Sequence, residues 1–122
     1  MFSEDLRRFI RSSVRSIWAL ELLLLLRRRA DKAWTVDALT GELRSRDKLV
    51  AEILAEFVQR GLVAAENSNT FRYKPASDVL DNLVSELENA YSERRIALIQ
   101  EIVAAPNEKI QTLADAFRLK RE

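Results

Sequence analysis

The sequence predicts a mainly α-helical chain with one small β-hairpin, and three observations predict it. Apolar side chains recur at spacings of three and four over most of the 122 residues, which is the period of an amphipathic helix. Two short β-type runs, at 62–65 and 71–74, lie near the middle with the polar loop 66–70 between them. Immediately before those runs, two short helical patterns flank a tight break at 44–46. The stretch 35–74 therefore reads helix, turn, helix, hairpin, and the rest of the chain adds helices to both ends.

Taken in order, residues 1–12 read as a short amphipathic helix. Leu6, Phe9 and Ile10 recur on one face and Arg7, Arg8 and Arg11 on the other. Ser3 suits the N-cap, and Glu4 and Asp5 suit the positive end of the helix dipole. Such a helix packs on its own domain or on a second subunit. Residues 13–29 follow as the most hydrophobic helix, with Val14, Ile17, Trp18, Leu20 and the run Leu22–Leu26 covering nearly its whole circumference. A helix apolar all round is buried all round, which makes it central or places part of it against another chain. The arginines Arg27–Arg29 that end it suit the negative end of the dipole.

Thr35 caps the next helix, 36–43, whose buried stripe is Val36, Leu39 and Leu43. After the turn, Ser45 is placed to cap a third helix, 46–60, with Asp47 in its first turn. Its inward face is Leu49, Val50, Ile53, Leu54, Phe57 and Val58, and Gly61 is the expected left-handed stop. In the hairpin, Asn67 and Asn69 suit positive φ, and Phe71 and Tyr73 point inward with Arg72 outward. Pro75 ends it. Ser77 or Asp78 caps a long C-terminal helix with a first stripe of Leu80, Leu83, Val84, Leu87 and Tyr91. A second stripe follows in Leu98, Ile99, Ile102 and Val103, on the same helix or on a fresh one started near Ser92. Pro106 breaks the pattern, and Ile110, Leu113, Ala114 and Phe117 predict a last amphipathic helix.

Composition bounds the chemistry. The length fits one domain of ordinary size, able to bury roughly two thirds of its unfolded surface. There is no cysteine and no histidine, and there are only two glycines. Thiolate zinc sites, disulfides, histidine general bases and Gly-rich phosphate cradles are excluded. Acidic sets at helical spacing, Glu52/Glu56 and Glu86/Asn89/Glu93, read as solvated helix faces without a histidine to complete a site, so no enzyme activity, metal or cofactor is expected. The apolar run 17–26 is half the length of about 20 residues that a bilayer needs, so no membrane span is expected. Arginines stand where a secretory cleavage site would need small residues, and the chain reads as cytoplasmic.

Net charge is +1, unevenly spread. Residues 1–48 hold eleven basic against seven acidic side chains, and residues 75–122 six basic against nine acidic. A DNA-facing first half and a solvated or partner-facing second half would produce this asymmetry.

The order of parts, and the segments TVDALTGEL, KLVAEILAEFVQRGLVAAE and FRYKPAS, resemble the winged helix-turn-helix transcription regulators, especially the MarR-like and PadR-like groups. The likeness rests on residues 35–73 by motif and on nearly the whole chain by element order. It implies a single winged-helix domain over 1–122, with a core at 13–75. It also implies dimerisation through the helical extensions 1–12 and 76–122. The helix 46–60 becomes the recognition helix and 66–70 the wing tip. Lys48 and Gln59 would then approach bases, while Arg44, Arg46, Arg72, Lys74 and Asn69 would hold phosphates. The chain departs from the pattern in two places. The outward face of the recognition helix also carries Ala51, Glu52, Ala55 and Glu56, and the wing has no Asp-x-Arg pair. Those glutamates support an alternative, a winged-helix module that binds protein and not DNA. Trp18 and Trp34 read as packing residues, with an effector pocket lined by Trp18, Trp34 and Tyr73 as the other reading. Arg94 and Arg95 are expected to pair with glutamates.

Overall fold

The computed structural model describes residues 2–67 and 69–104; the helix expected over 110–117 lies outside them. Six helices and a three-stranded antiparallel sheet run in the order α1 (Glu4–Ser13), α2 (Ile17–Arg28), β1 (Trp34–Thr35), α3 (Val36–Leu43), α4 (Asp47–Gln59), β2 (Val63–Ala65), β3 (Thr70–Tyr73), α5 (Asp78–Glu93) and α6 (Arg95–Ala104). The architecture is mainly α with a small sheet, as the periodicity predicts.

Side-chain caps start most of the helices. The hydroxyls of Ser3, Ser16, Thr35 and Ser77 accept from the backbone N–H groups of Leu6, Ala19, Ala38 and Leu80 at 3.1–3.2 Å. Each satisfies an N–H that the first turn leaves without a partner. Two boundaries differ from the expectation. The helix expected over 13–29 begins only at Ile17, because Ser16 caps it and Val14 leaves α1 in a non-helical conformation. Ser45 does not cap α4; Arg46 holds the N-cap position without a side-chain bond. Ser45 is used instead in closing α3, its N–H donating to the Thr40 carbonyl at 3.1 Å. That closure puts Arg44 at φ 54°, the one positive φ outside glycine among the described residues. Asn67 and Asn69 therefore do not take the left-handed conformation expected of them. Asn67 shapes the loop through its side chain, its Oδ1 accepting from the N–H groups of Asn69 and Thr70 at 2.8 and 3.1 Å.

The hairpin gains a third strand. β3 pairs β2 in the register Val63↔Tyr73 and Ala65↔Phe71, and its other edge pairs β1 in the register Trp34↔Phe71. Two residues are too short to show a period, so β1 left no trace in the sequence pattern. The C-terminal stretch forms two helices and not one, the break near Ser92 falling at Arg94.

One cluster of buried side chains joins all six helices and the sheet. Leu20, Leu22, Leu23, Leu24 and Leu26 of α2 are all buried at its centre, packed by α3, α6 and β3. The central position explains the apolar circumference within one chain. Leu6, Phe9 and Ile10 bury α1 against α5 and α6, so α1 lies on its own chain. Trp34 and Tyr73 are buried in this core while Trp18 is 41% exposed. No helix among the described residues is long and apolar enough to cross a membrane.

Polar links tie the layers together. Arg27 Nη1 donates to Glu88 at 2.7 Å, and its Nε stands 3.9 Å from Asp81. Asp81 in turn accepts from the Tyr73 hydroxyl at 2.7 Å, and Glu21 accepts from Tyr91 at 2.8 Å. Burial, then the Asp81 partner, raises the Tyr73 phenol above its ordinary range. The bond to Glu21, then burial, raises Tyr91. A phenol whose folded pKa is raised contributes stability below its unfolded value and loses it as pH rises. Unfolding free energy should therefore fall above about pH 10. Urea titrations of the parent and of Tyr73→Phe/Tyr91→Phe should differ in slope there, the double variant showing the shallower alkaline loss.

The two glycines predict opposite effects. Gly61 sits at φ 77°, and a Cβ there would stand 3.2 Å from the Ala76 Cβ; Gly61→Ala should cost about 1–2 kcal/mol. Gly41 lies within α3 and a Cβ there would meet nothing within 4 Å. Gly41→Ala should add about 0.5–1 kcal/mol. Thermal melts of the two variants shifting in opposite directions would check both.

Candidate nucleic-acid interface

α4 is divided along its length. Val50, Ile53, Leu54 and Phe57 are buried, and Asp47, Lys48, Ala51, Glu52, Ala55, Glu56 and Gln59 are exposed. The division follows from the 3.6-residue turn applied to this sequence. Val58, expected inward, is 38% exposed. It falls on the shoulder of the stripe made by Val50, Ile53, Leu54 and Phe57.

At the N-terminal end of α4 the three cations Arg44, Arg46 and Lys48 are all exposed. They stand on the turn and on the first residues of the helix, and form no ion pair among the described residues. Lys74 is exposed just past β3, and its N–H is held by the Leu62 carbonyl at 3.1 Å. Gln59 is exposed but distant. Eleven residues of helix separate it from Lys48, about 16 Å at 1.5 Å per residue. Asn69 is exposed in the β2–β3 loop and shares an open hollow of about 260 Å³ with Thr35, Val36 and Asp37. It thus lies beside the start of α3.

Arg72 is engaged within the chain. Its Nε meets Glu66 at 2.9 Å and its Nη1 donates to the Asp31 carbonyl at 2.6 Å. The guanidinium closes the β2–β3 loop onto the loop after α2, which leaves it less available to a phosphate. One residue not foreseen as part of this face does reach it. Arg15, between α1 and α2, approaches Glu56 at 3.9 Å, and so places a positive charge beside one of the two outward glutamates of α4. No local spacing connects residues so far apart in the chain.

The resulting surface has a cationic N-terminal third, two small alanines and two glutamates in the middle, and an amide at the far end. Both charged signs are presented to water on a single helix. Compared with family models, curated proteins and solved structures, the chain matches none.

Proposed function

We propose that the chain is a winged helix-turn-helix regulator of transcription that binds double-stranded DNA as a homodimer in the cytoplasm. The observation that carries this reading is the water-facing side of α4, with Arg44, Arg46 and Lys48 exposed at its leading end and in no ion pair among the described residues. α3, the turn and α4 would form the helix-turn-helix, and β2 and β3 the wing. Exposed cations at a helix start suit phosphates, and the side chains beyond them suit a groove. Lys74 adds a further phosphate donor, while Arg72 acts as a brace of the wing.

The test is a duplex titration over a salt series. The logarithm of the dissociation constant should rise linearly with the logarithm of salt, by about 0.9 per phosphate neutralised. Mixed-sequence duplex whose electrophoretic mobility never changes at low salt would sink the reading.

The homodimer finds support on α6. Ile96 and Val103, seven residues apart on that helix, are 74% and 68% exposed. Large apolar side chains two turns apart form one stripe, and a second copy would cover it. Sedimentation should give a dimer, and Ile96→Asp/Val103→Asp should shift it to monomer without loss of helix content.

The alternative is a winged-helix module that binds a protein partner without DNA. The exposed Glu52 and Glu56 on the same face favour it, because carboxylates repel phosphate. A pulldown that returns DNA and no stable protein partner counts against it.

A further inference from the structure

The geometry points to a second site, on a different part of the molecule, that takes a small amphipathic monocarboxylate. An open cleft of about 530 Å³ lies where α1 and the start of α5 meet the C-terminal end of α4. That volume falls in the range of small-molecule sites. Its floor is apolar: Phe9 from α1, and Leu80 and Leu83 from α5. Val79 stands at the rim, 68% exposed.

Two guanidinium groups overlook this floor. Arg8 comes from α1 and Arg60 caps the end of α4. Both are exposed, and neither forms an ion pair among the described residues. Asp5 is the only acid in the lining among the described residues. Two positive charges against one negative leave a single positive charge, which matches a monoanion and disfavours a dianion such as phosphate. The hydroxyls in the wall do not compete for this role. Ser12 donates to the Phe9 carbonyl at 3.2 Å, and the buried Ser13 lies 3.1 Å from the Ser12 oxygen, so their protons are already used. The donors left for an anion are the guanidinium groups, and the surface left for its body is hydrocarbon. A carboxylate on Arg8 and Arg60 with an aliphatic chain over Phe9, Leu80 and Leu83 satisfies both.

This site needs none of the cations proposed to meet DNA, so the two readings stand or fall separately. Octanoate, titrated into the full chain at constant ionic strength and followed by amide nitrogen–proton NMR, is the probe. Saturable shifts are expected at Phe9, Ser13, Gly61 and Leu80, and a raised melting temperature with them. Octanamide, the neutral counterpart, should bind about tenfold weaker, as should octanoate to Arg8→Gln/Arg60→Gln. The pair Arg8→Lys/Arg60→Lys should keep most of the affinity, which separates loss of charge from loss of fold. Arg44→Gln/Arg46→Gln/Lys48→Gln should bind octanoate as the parent does. Absence of saturable shifts, equal binding of octanamide, or binding indifferent to Arg8→Gln/Arg60→Gln would each overturn the assignment.

Discussion

Phe57→Ala should remove about 3–5 kcal/mol of stability, whereas Val58→Ala, one residue further on, should stay within about 0.5 kcal/mol of the parent. The contrast follows from burial. Phe57 is completely enclosed and belongs to the central cluster, while Val58 is 38% exposed. Truncating the first leaves a cavity in a packed interior, and a domain of this size has only about 5–15 kcal/mol in hand. Truncating the second removes a half-wetted side chain and replaces it by a better helix former. Urea midpoints for the two variants measure which side of α4 faces the core. Equal losses would mean that the helix is rotated by one position, about 100°. The surface carrying Lys48, Glu52 and Gln59 would then not be the one in water, and the proposed interface would fail with it. Phe57→Leu serves as the graded form if Phe57→Ala does not fold.

Arg44→Gln/Arg46→Gln/Lys48→Gln should flatten the salt dependence of duplex binding by about three units per subunit and weaken binding by well over tenfold at moderate salt. Glutamine keeps the length of the side chains and removes only the charge. Arg46 makes no capping bond, so its replacement should not loosen α4, and circular dichroism should be unchanged. The reverse change, Glu52→Gln/Glu56→Gln, should tighten duplex binding, because it removes two carboxylates from the proposed groove face and releases Arg15 from Glu56. Fluorescence anisotropy on one mixed duplex reads both variants. If neither charge removal alters the salt slope, the face is not electrostatically engaged with DNA. The protein-binding alternative then gains.

Much of the fold was legible because local rules decide it. The caps Ser3, Thr35 and Ser77 stand where a short polar side chain precedes an apolar stripe, and Gly61 stands where α4 must stop. The inward face of α4 was recovered from spacing alone, apart from Val58. The misplaced boundaries have a common cause. The apolar pattern of 13–29 already includes Val14, and spacing alone does not say that Ser16 caps the helix and leaves Val14 outside it. Ser45 was an obvious cap by type, but the closing turn of α3 took its backbone first and left Arg44 in a conformation usually given to glycine.

The candidate site was legible as a set of charges and not as a surface. Arg44, Arg46 and Lys48 are neighbours in sequence, so their grouping needed no tertiary information. The position of Gln59 at the far end of the helix followed from its rise. That Arg72 would be tied to Asp31, 41 residues away, could not be read from the hairpin. Nor could the approach of Arg15 to Glu56.

By itself, then, the amino-acid order determined which segments coil, which of their faces are apolar, and that histidine and thiol chemistry are excluded, since these depend on neighbours within a few residues. Folding decided which charges remain free. Arg27 and Arg72 looked no different from Arg44 or Arg60 until Glu88 and the Asp31 carbonyl, 61 and 41 residues distant, were brought within 2.7 and 2.6 Å. The pairing of a long flexible cation is settled by whatever the packed backbone sets beside it, and that is a property of three dimensions.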